Sequence, residues 1–527
     1  MRSEPLTKLP LKFRRFFLYG ALFEIGLIVS AFGLPHSNLA IEITNFAKVV
    51  HFPLLMLLAG VGGESDAGAT LALVLGLGLM ASLWGFLFLQ MARVAGRLRA
   101  HLSRRQKLAF WFVAGVGGLV LLGQAIASAL PRKPIPFVAS PEIKAVVEGN
   151  NAFALDLYQK LRGQPGNLFL SPFSISTALA MTSAGARGQT EVEMTNVMHL
   201  NLPPEKLHPA FRALIARMDR IQRWNRIILK AANSLWCQQD YPFVPEFLKL
   251  LRENYSAEAK SVDFKNSPGV AAQEINHWVK EKTDHKIPGG LDPSQLSPPP
   301  KLVLCDAIYF KGKWQHQFEE KDTQPGPFHV TTNETVMVPM MHQVAEFKRA
   351  FSEDESVEML ELPYSGQDLS MMILLPSPPE YAGNSGHNDI FDLEPKLTAD
   401  NLHAWLAKLN QADPHKISVR LPRFTTTSSL DLTNELKSLG ITSAFDNTAD
   451  FSGMDGTNYL YLSEVIHKTF VEVNEAGTEA AAVTLVLAMS KGGGPERFHV
   501  DRPFIFLIRD NGSGSILFLG RIIDPTK

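Results

Sequence analysis

The sequence predicts an α+β domain of about 385 residues behind a helical membrane region. Residues 70–91 and 108–130 are apolar runs with no charged side chain. Beyond a proline-rich stretch at 131–136, apolar residues fall at helical spacing in some segments and at strand spacing in others. The chain then closes with two apolar runs around Asp510-Asn511-Gly512, a hairpin signal. The expected organisation is a membrane region at 1–130, a linker at 131–145 and the α+β domain at 146–527.

Three transmembrane helices are expected, at 16–34, 70–91 and 108–130. The last two are long enough to cross a hydrocarbon core of about 30 Å. Residues 16–34 contain one charge, Glu24, which must face other helices or water. Glu24 reads as a packing partner, with a proton or ion site as the alternative. Basic residues set the orientation. Arg2, Lys8, Lys12, Arg14 and Arg15 precede the first run, and Arg93, Arg97, Arg99, Arg104, Arg105 and Lys107 lie between the second and third. Between the first and second the only Lys or Arg is Lys48. The N-terminus is therefore expected in the cytoplasm, and everything after 130 outside it, at a cell surface or in a periplasm. Residues 49–61 are apolar but short and hold His51 and Pro53, so they read as interfacial or re-entrant. Residues 16–34 also have the length of a cleaved signal segment, but the two clean spans that follow favour a retained anchor. A lipid bilayer is thus one expected partner.

Pro131, Pro134 and Pro136 make a semi-rigid linker. In 151–161, Phe153, Leu157, Tyr158 and Leu161 share one helical face. Asn167-Leu-Phe-Leu170 reads as a short strand, and Ser174 as the cap of a helix over 175–185. Strands are expected at 231–237, 301–310, 369–375 and 417–421, and the closing hairpin at 503–508 and 516–523.

A net charge of −1 gives no reason to expect a nucleic-acid partner. The common enzyme signatures HExxH, GxSxG, CxxC and the phosphate loop are missing, and no cofactor or metal is expected. Two cysteines, Cys237 and Cys305, exclude a disulfide-stapled scaffold. Residues 475–494 carry two characters. They open with Glu475, Gly477 and Glu479, as an exposed loop does, continue as small and β-branched residues, and end in three glycines. Such a segment is a candidate conformational switch.

Motifs spread over about 380 residues resemble, in order, those of the serpin family. They include Asn167-Leu-Phe-Leu-Ser-Pro-Phe-Ser-Ile-Ser-Thr-Ala-Leu-Ala-Met181 and Ile275-Asn-His-Trp-Val279. Asp306-Ala-Ile-Tyr-Phe-Lys-Gly-Lys-Trp314 with Phe318, Val419-Arg-Leu-Pro-Arg-Phe424 and Ala449-Asp-Phe-Ser452 follow. Val465-Ile-His-Lys468 and the stretch 504–520 complete the series.

The resemblance implies three sheets, about nine helices and an exposed reactive loop. It also implies a suicide substrate and not an enzyme. A target protease cuts the loop and becomes acylated, and the loop then inserts into the main sheet before water can release the enzyme. Glu475, Gly477, Thr478, Glu479, Ala480, Ala481 and Ala482 match the hinge of inhibitory members. Thr478, Ala480, Ala482, Thr484 and Val486 form one alternating set without charge or proline, as a buried strand face requires.

Counting as in inhibitory serpins puts the scissile bond at Lys491–Gly492, with Met489 and Ser490 as alternatives. Lys491 suits a trypsin-like serine protease. Met489 or Ser490 suits an elastase-, subtilisin- or chymotrypsin-like one, and a cysteine protease is a further candidate. The family's sheet-opening region corresponds to Ser171, Ser174, Asp306 and His467. Most serpins have Asn where this chain has Asp306. Asp306 beside a protonated His467 would make opening depend on pH, and a neutral hydrogen-bonded pair would not. Cys237 and Cys305 resemble positions on neighbouring main-sheet strands, where free thiols fit better than a bridge.

Three functions follow as expectations: a membrane-tethered inhibitor, a non-inhibitory binding or chaperone module, and a membrane sensor triggered by loop cleavage.

Overall fold

Ser140 ends the proline-rich stretch by capping a helix. Its hydroxyl accepts the N–H of Ile143 at 3.3 Å, and Pro141 supplies the first turn, where a missing N–H does no harm. The computed structural model describes residues 134–527 except 226, 240, 288, 290, 298, 378–388 and 478–493. The three expected spans and residues 49–61 lie outside the described residues. Among the described residues no helix is long and apolar enough to cross a membrane.

In chain order the first elements are α1 (Pro141–Leu161), β1 (Leu168–Leu170), α2 (Pro172–Ser183), α3 (Gly188–Val197) and α4 (Pro204–Asn225). Then come β2 (Ile228–Gln238), α5 (Pro245–Leu250), β3 (Glu258–Val262), α6 (Pro268–Lys282) and β4 (Leu302–Lys311). The middle holds β5 (Gln324–His329), β6 (Thr335–Ser352), β7 (Val357–Pro363), β8 (Leu369–Pro376), α7 (Ile390–Leu393), α8 (Ala399–Gln411) and β9 (His415–Pro422). The last elements are β10 (Phe424–Asp431), α9 (Thr433–Leu439), α10 (Ser452–Asp455), β11 (Leu462–Val473), β12 (Glu496–His499), β13 (Phe504–Asp510) and β14 (Ile516–Ile522). The strands expected at 231–237, 369–375 and 417–421 lie inside β2, β8 and β9, the one expected at 301–310 is β4 shifted by one residue, and the closing hairpin is β13–β14.

Two local expectations change. The cap of α2 is Ser171, whose hydroxyl accepts the N–H of Ser174 at 3.3 Å, because Pro172 already occupies the first helical turn. The α1 helix begins five residues inside the stretch read as linker. Ile135 and Phe137 ahead of it also pack on the body. The Ile135 N–H donates to Asp368 Oδ1 at 2.9 Å, and the Phe137 ring lies 4.4 Å from the Arg217 guanidinium.

The strands form a five-stranded sheet, ordered β10-β11-β4-β2-β3, and a nine-stranded one. Along the nine-stranded sheet the order is β1-β14-β13-β8-β7-β6-β9-β12, with β5 on β6. Long β6 serves two layers. Its Lys348–Ser352 end pairs with β7, and its Met340–Phe347 part pairs with β9. The three sheets implied by the resemblance are thus one separate sheet and two that share β6. Strands β8, β13 and β14 are buried along their whole length, which explains the apolar runs 371–375, 504–508 and 516–519 within them.

Between the layers Phe169 stacks on Phe506 and Phe518, with ring centroids 5.7 and 5.3 Å away. Phe169→Ala should cost about 3–5 kcal/mol, measured by chemical denaturation. A loss below about 1 kcal/mol would mean the ring is not packed there.

Candidate functional site

The five-stranded sheet has a parallel seam at its centre. β11 pairs directly with β4, from Leu462 opposite Leu302 to Val471 opposite Phe310. No strand lies between them, so the sheet is closed.

Every residue of β4 up to Phe310 is buried, because helices and strands cover both of its faces. Leu304 and Ile308 join the main core, while Val303, Cys305 and Ala307 pack with Trp278 and Ile275 of α6. Cys237 belongs to the first cluster and Cys305 to the second, so the two thiols sit on opposite faces and are free. Burial pushes Cys237 up to about 11 and Cys305 up to about 12, which leaves neither as a ready nucleophile.

The first turn of α2 lies beneath the seam and ties it shut. His467 on β11 is the registered partner of Asp306 on β4. The ring Nδ1 and Asp306 Oδ2 are 2.6 Å apart. The backbone N–H of Ser171 donates to His467 Nε2 at 3.0 Å, and the Ser171 hydroxyl donates to the Leu517 carbonyl at 2.6 Å. The Ser174 hydroxyl donates to Asp306 Oδ1. Asn233 on β2, opposite Asp306 in register, lies 3.3 Å from the same hydroxyl. Because Nε2 accepts a backbone proton, the single ring proton sits on Nδ1 and points at Asp306. A doubly protonated ring would present N–H to N–H at Ser171. The geometry of the closed sheet therefore holds a neutral His467 ring that donates to Asp306.

Where β11 ends, five bonds hold the entry to the loop. The Trp314 indole N–H donates to the Asn474 carbonyl at 3.0 Å, and its backbone N–H to Ala476 O at 3.4 Å. The Phe318 N–H donates to Glu475 O at 2.9 Å. The buried Glu475 carboxylate accepts from the Arg423 guanidinium and, at 2.7 Å, from the Thr323 hydroxyl. Burial opposes the charged form of Glu475, but the bonds from Arg423 and Thr323 outweigh it and hold the carboxyl below its ordinary value. Gly477 follows with φ +75°, and a Cβ there would lie 2.3 Å from Gly312 O. Only glycine fits this turn.

Of the expected site residues, the structure brings Ser171, Ser174, Asp306 and His467 into one network and sets Glu475 and Gly477 at the end of the same sheet. Thr478, Glu479, Ala480, Ala481, Ala482, Met489, Ser490, Lys491 and Gly492 lie outside the described residues. Arg423 and Thr323 were not singled out from the sequence. Arg423 stands in the quoted 419–424 motif, but nothing local links it to Glu475, 52 positions away. Among the described residues no cluster of His, Cys, Asp and Glu could hold a metal ion.

A family model described as Serpin (serine protease inhibitor) matches residues 148–525. The chain is 42% identical over 380 residues to the human leukocyte elastase inhibitor, covering 71% of this chain and 98% of that protein. It is 39% identical over 402 residues to an uncharacterised serpin-like protein of Thermococcus kodakarensis, covering 76% and 90%. Among solved structures, uncleaved ovalbumin superposes with a TM-score of 0.64 at 29% identity, covering 72% of this chain and 100% of that one. Human thyroxine-binding globulin gives 0.65 at 29% identity, covering 73% and 100%.

Two outcomes test the site. Nitrogen-15 NMR of the His467 ring should show the proton on Nδ1, and a proton on Nε2 or on both nitrogens would refute the network. Glu475→Gln should lower stability by about 1 kcal/mol, a modest loss because Arg423 is open to solvent on one side. The pH dependence has a fixed sign. With its folded value below its unfolded one, Glu475 stabilises above the ordinary carboxylate range, and that stability fades as pH falls through the folded value. Thermal midpoints of wild type and variant should therefore converge in acid, and a constant gap from pH 7 to pH 3 would contradict the assignment.

Proposed function

The chain belongs to the serpin family, and on that premise we propose that it is a suicide-substrate inhibitor of a serine-type protease. The observation that carries this reading is the closed seam of β4 and β11 beside a held loop entry. A chain that leaves β11 and folds back after the turn at Gly477 runs antiparallel to both strands. Its entry would replace one parallel ladder by two antiparallel ones and bury Thr478, Ala480, Ala482, Thr484 and Val486. None of these carries a charge, so insertion meets no charge-desolvation barrier from them. The chemistry belongs to the protease's nucleophile, and the inhibitor is consumed as a substrate rather than acting as an enzyme.

For the target we favour an elastase-like protease cutting at Met489 or Ser490. Relatives named leukocyte elastase inhibitor, 42% identical, support that class. The lysine at 491 supports the second reading, a trypsin-like enzyme cutting the Lys491–Gly492 bond. The uncharged runs at 70–91 and 108–130 support a membrane anchor with the inhibitor body outside the cytoplasm.

The test mixes the full chain with elastase and with trypsin and looks for an SDS-stable complex. Mass spectrometry of the released peptide identifies the bond that is cut. Clean cleavage by both without a complex would reject inhibition of these classes. Thr478→Arg puts a charge at the first inserting position, so it should turn the inhibitor into a substrate and raise the stoichiometry of inhibition several-fold. Unchanged stoichiometry would contradict insertion of the hinge. Protease added to intact cells should shave off the body, and full protection would refute the outward topology.

A further inference from the structure

The segment that leads into the body is bonded to it, although residues 134–139 lie ahead of the stretch 148–525 matched by the family model. The Ile135 N–H donates to the buried Asp368, and the Phe137 ring covers the buried Arg217. Arg217 grips Asp510 through two bonds of 2.6 Å and lies 3.4 Å from Asp368 Oδ1. Asn225 Nδ2 donates to Asp368 Oδ2 at 2.7 Å. On Oδ1 the short bond is therefore the one from Ile135, at 2.9 Å, and a buried carboxylate depends on such donors. Val138, by contrast, is 93% exposed.

Asp368 closes the turn between β7 and β8. Gln367 beside it takes φ +59°, a left-handed conformation that persists where neighbours hold it. The other end of the turn carries residues 313–315. The Gln315 N–H donates to Pro363 O at 2.8 Å, and the Ser365 N–H to Lys313 O at 2.7 Å. Trp314 and Tyr364 form an antiparallel bridge, and their rings stack with centroids 4.6 Å apart at an angle of 11°.

Trp314 follows the end of β4, and Asn474 to Ala476 follow the end of β11. The two bonds from Trp314, to Asn474 O and Ala476 O, thus cross the mouth of the seam. A strand enters between β4 and β11 only when they break. The path to these ties is continuous: Ile135 to Asp368, the turn, then Tyr364 to Trp314. It ends on an element with two arrangements, the closed and the opened seam, which is what coupling between distant groups requires.

We propose that residues 135–137 are a positioning strap for loop insertion. Docked, the strap sets the β7–β8 turn and through it holds Trp314 across the seam. Undocked, it leaves the seam less firmly tied, so that a strand enters faster. The proposal rests on the inhibitory reading, and it gives the chain ahead of the body a route to the loop entry.

The test uses the full chain in detergent with 5-fluorotryptophan in place of tryptophan. The Trp314 fluorine signal is assigned by its absence in Trp314→Phe. Ile135→Pro removes the donated N–H, and Phe137→Ala removes the ring over Arg217. Together they should shift the Trp314 signal. They should also speed entry of a fluorescent peptide of residues 478–489 into the sheet about fivefold, followed by anisotropy. Phe137→Ala alone should act in the same direction. Val138→Ser, at the exposed position beside the strap, should change neither reading. Tyr158→Phe, which removes a buried bond to Glu394, controls for general loosening. Unchanged uptake in the double variant overturns the proposal, as does equal acceleration by Tyr158→Phe. Faster uptake with the Trp314 signal unmoved also overturns it, since the strap then acts by another route. If wild type and variants alike take up no peptide and trap no protease, the inhibitory reading fails and the insertion step falls with it. The Trp314 signal then still decides whether the strap sets that residue.

Discussion

The direct parallel pairing of β4 with β11 is the constraint on which the rest depends. It fills the centre of the five-stranded sheet with the less stable kind of ladder, and both strands end beside the loop entry. Everything around the seam acts to hold it. His467 and Lys468 are consecutive residues of β11, so they point to opposite faces. His467 is tied to α2 beneath the sheet, while Lys468 donates to Gly289 O at 2.7 Å and Ser429 Oγ at 3.2 Å above it. Strand β11 is therefore pinned from both sides by polar bonds, beside the buried Leu462, Val465, Ile466 and Val471.

Much of this was legible in the sequence because it is local. Alternation and continuous apolar runs located β2, β4, β8 and β9, and the Asn-Gly turn located the β13–β14 hairpin. What the sequence hid is what depends on long-range pairing. Ser171 and Ser174 are three residues apart, and either could cap α2. Only the position of Pro172 and the reach of His467, nearly 300 residues further on, decide that Ser171 does so. The partner of Glu475 was hidden for the same reason. The docked segment at Ile135 and Phe137 reads in sequence as a semi-rigid linker because proline content reports stiffness and says nothing of what a stiff segment rests against.

The fold alone does not decide the function. Uncleaved ovalbumin and thyroxine-binding globulin superpose on this chain about equally well, so the scaffold admits more than one use. What separates an inserting loop from a merely exposed one is the alternating set after Gly477 and a seam that can receive it. The first is a property of side-chain size and charge, the second of strand direction, and both are present together here.

The acid at position 306 sharpens the seam's character. It accepts from two donors, His467 Nδ1–H and the Ser174 hydroxyl, and offers none. That fixes the direction of every proton in the network, starting at the Ser171 N–H, which fixes the ring tautomer in turn. An asparagine there would accept on one side only. Its amide would donate toward Ser174, whose hydroxyl would have to turn to Asn233 at 3.3 Å. The acid thus makes the closed network unique, but it does so with a buried carboxylate that faces no cation in the network. The same residue therefore sets the direction of each hydrogen bond in the closed sheet, and it does so as an acid buried among neutral partners.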